Sequence, residues 1–199
     1  MKNLILYNGP NSPFGRKTKI TALVHKIPFE EKVIKVHDSE FLDKFNPLRK
    51  IPTLVIDNKE TIIDSDNICI YFDEISNRKT LYNKKIYWQI MTIISVANGL
   101  MEAVLERRME LIRPSNEQSQ SFVKKQEIRV FRTINWLEKN WNNFEKNISM
   151  DQISVAVALE YTKYRFTDSW SNDCAKLNEW LSEFNSNDFM ELTIPKEAT

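Results

Sequence analysis

Leu4-Ile5-Leu6-Tyr7-Asn8-Gly9-Pro10-Asn11-Ser12-Pro13-Phe14-Gly15-Arg16-Lys17 is the stretch on which the reading of this chain turns. The apolar run Leu4–Tyr7 reads as a strand, and Asn8-Gly9-Pro10 ends it in a turn. Ser12 stands where an N-cap stands, with Pro13 at the first helical position. The helical pattern continues to about Lys26, with Phe14, Ile20, Leu23 and Val24 available for one face.

Outward from there, Phe29 to Val36 is rich in β-branched residues and predicts a second strand. Asp38 to Phe45 predicts a short helix, stopped before Asn46-Pro47. Thr53–Ile56 and Thr61–Ile63, joined by Asp57-Asn58, predict an antiparallel hairpin. Ser65 to Ser76 predicts a helix with Ile68, Tyr71, Phe72 and Ile75 at helical spacing. The order βαβαββα makes a small mixed sheet with helices packed on it.

Beyond a polar linker the pattern is helical throughout. Ile86 to Arg113 carries Ile90, Ile93, Ile94, Ala97, Met101, Val104 and Leu105 on one stripe, and Pro114 ends it. Ser115-Asn116-Glu117-Gln118 reads as a capping box that starts a second long helix, through Val123, Val130, Ile134, Leu137 and Trp141. Ser149-Met150-Asp151-Gln152 reads as another, opening an apolar helix buried on most sides. Asn172 to Phe184 predicts the last helix. The expected division is residues 1–78, a linker 79–85, and a helical part 86–199.

Composition narrows the chemistry. The 199 residues carry 28 basic and 27 acidic side chains, a net charge of +1, so no global field draws the chain to nucleic acid or anionic lipid. Three glycines, Gly9, Gly15 and Gly99, cannot build a glycine-rich phosphate loop. Cys69 and Cys174 exclude a disulfide framework and a Cys-based zinc site, and His25 with His37 cannot form a multi-histidine metal centre. No apolar run reaches the roughly 18 residues of a membrane span. The expectation is a cytoplasmic protein with no membrane and no nucleic-acid partner.

Three places carry chemistry. Ser12 projects from a helix start, whose unpaired N–H groups and positive dipole end favour an anion such as a thiolate. Lys50-Ile51-Pro52-Thr53 puts a proline at a strand entrance, where a cis bond would leave the Ile51 backbone free to pair elsewhere. Asp64-Ser65 begins the next helix, with Ser65 read as its cap. Each also admits a structural reading, as plain caps and an ordinary trans-proline.

In this order and spacing the chain resembles the glutathione S-transferase family, and within it the small bacterial serine-type members. The resemblance rests on Leu6-Tyr7, Ser12-Pro13-Phe14, Arg16-Lys17, Phe45-Asn46-Pro47, Lys50-Ile51-Pro52, Asp64-Ser65 and the Ser149 to Ile153 stretch. It implies a thioredoxin-like α/β N-terminal domain, an all-α helical bundle behind it, a homodimer, and a role in detoxification. Glutathione would be a co-substrate, with no permanently bound cofactor and no metal.

The resemblance also implies roles. Ser12 would donate to the glutathione sulfur and favour its thiolate, with Phe14 beside it. Ile51, ahead of a cis Pro52, would pair with the cysteinyl unit. Asp64 and Ser65 would hold the γ-glutamyl end, and Lys35, Val36 and Lys50 would lie near the glycyl end. A small electrophile would meet Met91, Ser95, Asn98, Met101 and Glu102, with Asn98 read either as reaching the other subunit's site or as a helix-packing residue. Peroxide reduction is a possible side activity. Cys69 is expected to be an inert buried thiol, and Tyr7 a packing residue. The alternative is a non-catalytic regulator or interaction protein of the stringent-starvation type.

Overall fold

Strand β1 (Leu4–Asn8) is buried along its whole length in the computed structural model, which describes residues 2–140 and 147–195. Successive strand side chains face opposite ways. Leu4 and Leu6 therefore join Ala22, Leu54, Ile56, Ile68 and Phe72 in one core, while Ile5 and Tyr7 join Leu42 and Val55 in another. Tyr7 lies against Phe41 and Phe45, which makes it a packing residue as expected. β2 (Glu30–Val33), β3 (Thr53–Ile56) and β4 (Glu60–Ile63) complete a four-stranded mixed sheet of order β2-β1-β3-β4. β2 runs parallel to β1, and β3 antiparallel to both β1 and β4.

Helices α1 (Pro13–His25) and α2 (Ser65–Glu74) complete the thioredoxin-like arrangement. The expected short helix over Asp38–Phe45 is instead a pair of 3₁₀ turns, Val36–Asp38 and Glu40–Lys44. Among their described side chains only Leu42 is fully buried, too little to propagate an α-helix. α1 and α2 are joined by Thr21 donating to the Cys69 sulfur at 3.3 Å and by His25 meeting Asp73 at 3.0 Å. Burial works against charge on Asp73, yet hydrogen bonds from His25, the Leu81 N–H and Thr80 hold its carboxyl below the ordinary 3.8. Burial pushes the Cys69 thiol up to about 12, which makes it the inert group expected.

The strand register decides where the loops meet. Tyr7 pairs with Thr53, Thr53 with Ile63, and Asn8 with Val33. The segments after β1, after β2, before β3 and after β4 all therefore leave the sheet at the same end.

The chain divides into two compact units, Tyr82–Asn187 and a second made of Met1–Leu81 with Asp188–Thr199. The expected helical part ran to residue 199. The segment from Asp188 groups with the first unit because Met190 and Thr193 are buried there beside Arg16. It includes a four-residue helix, α7 (Asp188–Glu191), which the sequence did not suggest.

The other unit holds α3 (Tyr87–Leu111), α4 (Gln120–Lys139), α5 (Met150–Arg165) and α6 (Ala175–Phe184). The helical run Lys84–Leu111, α3 with the 3₁₀ turn that precedes it, is long and apolar enough to cross a membrane by length and composition, with a mean hydropathy of 1.3 over an 18-residue window. The sequence reading missed this because it sought an uninterrupted apolar run. Its stripe from Ile90 to Val104 is buried and packs on α4 and α5.

Two helix starts differ from expectation. α4 begins after Ser119, which accepts the Phe122 N–H at 3.3 Å, and residues Ser115–Glu117 form a 3₁₀ turn instead of the helix start. Gln118 breaks the chain between them: its backbone is extended and its side chain donates to the Leu111 and Arg113 carbonyls. At α5, Ser149 makes no side-chain cap and donates to the Asp151 carboxylate. Trp141 lies outside the described residues.

Candidate functional site

Ser12 leaves β1 through a tight turn in which its N–H donates to Gly9 O at 3.3 Å. Its backbone is extended, φ −75° and ψ 119°, as an N-cap requires. Its Oγ accepts the Gly15 N–H at 3.2 Å, and its carbonyl accepts the Arg16 N–H at 2.9 Å. The Ser12 hydroxyl therefore serves the helix as acceptor only. Its proton has no acceptor among the described residues and is left for a ligand.

The turn is built by close packing. The Asn8 side chain accepts the Gly9 N–H at 2.8 Å and donates to Glu31 at 3.0 Å, lying across α1 at Gly15. A Cβ on Gly15 would fall 1.5 Å from Asn8 Oδ1, so only glycine fits. A Cβ on Gly9 would fall 2.5 Å from the Ile51 side chain, which shows how closely the first loop meets the proline loop.

The first turn of α1 carries no acid. Arg16 and Lys17 follow, both buried. Lys17 pairs with Asp66 of α2, which ties the starts of the two helices together.

The Ile51–Pro52 peptide is cis. The loop before it is organised by Asn46, 1 % exposed, whose amide donates to Lys50 O and to Thr53 Oγ1 at 2.9 Å each. Arg49 grips Asp43 with two donors, and that hydrogen-bonded guanidinium holds the Asp43 carboxyl below its ordinary range. With the loop thus satisfied internally, the N–H and C=O of half-buried Ile51 make no hydrogen bond among the described residues.

Asp64, not Ser65, caps α2: its Oδ1 accepts the Asp66 N–H at 2.9 Å. Its φ of 73° lies where non-glycine residues are uncommon and Asp and Asn are enriched. Ser65 becomes the first helical residue, buried at 6 %, and neither its amide nor its hydroxyl has a partner among the described residues. Lys35 and Lys50 are exposed and Val36 half-buried, and all three lie in the segments that leave the same sheet end.

The register thus brings Ser12, Phe14, Lys35, Val36, Lys50, Ile51, Pro52, Asp64 and Ser65 to one end of the sheet. The α3 residues belong to the other unit. Met91 and Asn98 are half-buried, Ser95 is exposed and bonds to Met91 O at 2.9 Å, and Glu102 pairs with Arg129 at 3.3 Å. Met101 corrects the sequence reading: it is fully buried in the helical core and offers no surface to a ligand. Asn8, Arg16 and Asn46 support the site; the sequence reading names Arg16 and Asn46 among the residues that carry the resemblance and Asn8 as part of a turn, but gives none of them a role at the site.

Residues 6–80 match the family model for the N-terminal domain of glutathione S-transferases. These residues form an N-terminal domain of the glutathione S-transferase type, and the whole chain has the glutathione S-transferase fold. Over 194 residues it is 26 % identical to an uncharacterized GST-like protein of Escherichia coli K12, YibF, covering 94 % of this chain and 96 % of that one. A glutathione transferase family member from Pseudomonas fluorescens Pf-5, solved with bound glutathione, superposes with a TM-score of 0.90 at 26 % identity, over 98 % of this chain and all of that one. A glutathione S-transferase from Methylobacillus flagellatus, also with glutathione bound, shares the fold at a TM-score of 0.92 and 22 % identity, over 98 % of this chain and 100 % of that one.

Proposed function

We propose that this protein binds glutathione at the sheet end described above and conjugates it to a small electrophile. The observation that carries the reading is the set of unspent polar groups there: the Ser12 hydroxyl proton, the Ile51 backbone, and the Ser65 amide and hydroxyl. A strand-like peptide pairs with Ile51. Its terminal carboxylate is held by Ser65 at the N-terminus of α2, and its amine by the exposed Asp64 carboxylate. Lys35, Val36 and Lys50 reach the glycyl end. The bound glutathione of the Pseudomonas relative supports glutathione as the ligand.

Ser12 then activates the thiol. A thiol of pKa about 8.5 is only a few per cent thiolate at neutral pH. A two-unit reduction requires about 2.7 kcal/mol of preferential thiolate stabilisation. One charge-assisted hydrogen bond supplies roughly 1.5–3 kcal/mol, and the α1 N-terminus about 1 more. The thiolate attacks the electrophile and forms the carbon–sulfur bond as the leaving group departs. Met91, Ser95, Asn98 and Glu102 remain the proposed contacts of the electrophile; the protein acts as a cytoplasmic homodimer. Calorimetric titration should show glutathione binding in the millimolar range or tighter, weakened about tenfold by Ser65→Ala, the loss of one hydrogen bond to a charged group. No heat of binding at millimolar glutathione contradicts the reading.

A second reading, an interaction protein of the stringent-starvation type, draws on α4. There Ile128, Phe131 and Trp136 stand exposed among Lys124, Arg132 and Lys139 around an open groove of about 710 Å³. Such a protein would bind its partner equally well as Ser12→Ala.

A further inference from the structure

Arg16 is buried to 6 % exposure one turn into α1, where the positive end of the helix makes a cation unfavourable. Its Nε donates to Thr193 Oγ1 and its Nη2 to Met190 O, both at 3.2 Å. Thr193 Oγ1 in turn donates to Phe189 O at 2.8 Å, and Met190 is 1 % exposed. The guanidinium is thus gripped by a segment 174 and 177 residues away in sequence. Arg16 also closes the Ser12 turn, since its own N–H donates to the Ser12 carbonyl at 2.9 Å. A buried apolar side chain would tether the segment without desolvating a charge. A cation fixed here has a further consequence: it adds positive potential to a helix start that carries no acid in its first turn.

We propose that the C-terminal segment from Asp188 to Ile194 orders the Ser12 turn, with Arg16 as the positioning residue that links them. Thr193 and Met190 fix the guanidinium, the guanidinium fixes the first turn of α1, and that turn fixes Ser12. The consequence for the sulfur rests on the glutathione reading above; the ordering does not.

The test has two arms. In ligand-free protein, amide exchange at Gly15 and Arg16 should rise about tenfold in Thr193→Val, which keeps the shape and removes the acceptor, while Leu54 and Val55 of β3 stay unchanged. Arg16→Lys should give a smaller rise, since it keeps the charge and loses the two-pronged geometry. Unchanged exchange at Gly15 and Arg16 in both folded variants overturns the proposal, whatever glutathione does. In the second arm, the pKa of the bound glutathione thiol should rise in Thr193→Val. Absence of glutathione binding to the wild type would refute the functional reading and leave the exchange result standing; a raised exchange with an unmoved thiol pKa overturns the link from the turn to Ser12.

Discussion

Ser12 and Ser149 both open helices with short polar side chains, and they spend their hydroxyls in opposite ways. Ser149 is 2 % exposed and gives its proton to Asp151, itself 1 % exposed, while making no cap bond to the backbone. Ser12 is half-buried, accepts from the Gly15 amide, and keeps its proton undirected. A serine at a helix start is structural where an internal acceptor takes its proton, and open to chemistry where none does. The surroundings follow suit: Ser149 and the first turns of α5 are buried, whereas the start of α1 lies in a loop cluster with other donors that have no partner among the described residues.

This contrast can be broken from either side. Ser149→Ala should have the largest effect on stability, about 2–3 kcal/mol by chemical denaturation, because a buried carboxylate loses a donor. Its folded fraction should keep the wild-type glutathione affinity. Gly15→Ala should cost about 1–3 kcal/mol by overpacking against Asn8. Unlike Ser149→Ala, it should also weaken glutathione binding, because Asn8 must shift under the Ser12 turn. Ser119→Ala supplies the baseline, an exposed cap whose loss should cost about 0.5–1 kcal/mol and leave glutathione binding untouched.

Much of this was legible in the chain because short-range signals govern it. Ser12-Pro13 did open a helix, Thr53–Ile56 is a strand as read, and the three loops carrying Ser12, Pro52 and Asp64 were found from turn and cap chemistry. What escaped depends on tertiary partners. Ser115 and Ser119 offer similar caps, and Gln118 chooses between them by reaching back to the end of α3. Asp64 takes the cap from Ser65 because its backbone adopts a positive φ that no spacing reveals. Met101 is read from the sequence both on the apolar stripe of its helix and among the contacts of the electrophile, and only packing decides for the stripe. The partnership of Arg16 with Thr193 spans nearly the whole sequence and leaves no local trace.

The central claim is that the free proton of Ser12 stabilises the thiolate of bound glutathione. The measurement is the ultraviolet thiolate absorbance of the glutathione complex as a function of pH, for wild type and Ser12→Ala. The account predicts a bound thiol pKa well below 8.5 in the wild type, rising by about 1–2 units in the variant, as expected from the loss of one hydrogen bond to a charged group worth about 1.5–3 kcal/mol. Equal thiol pKa values in two proteins that both bind glutathione would contradict it.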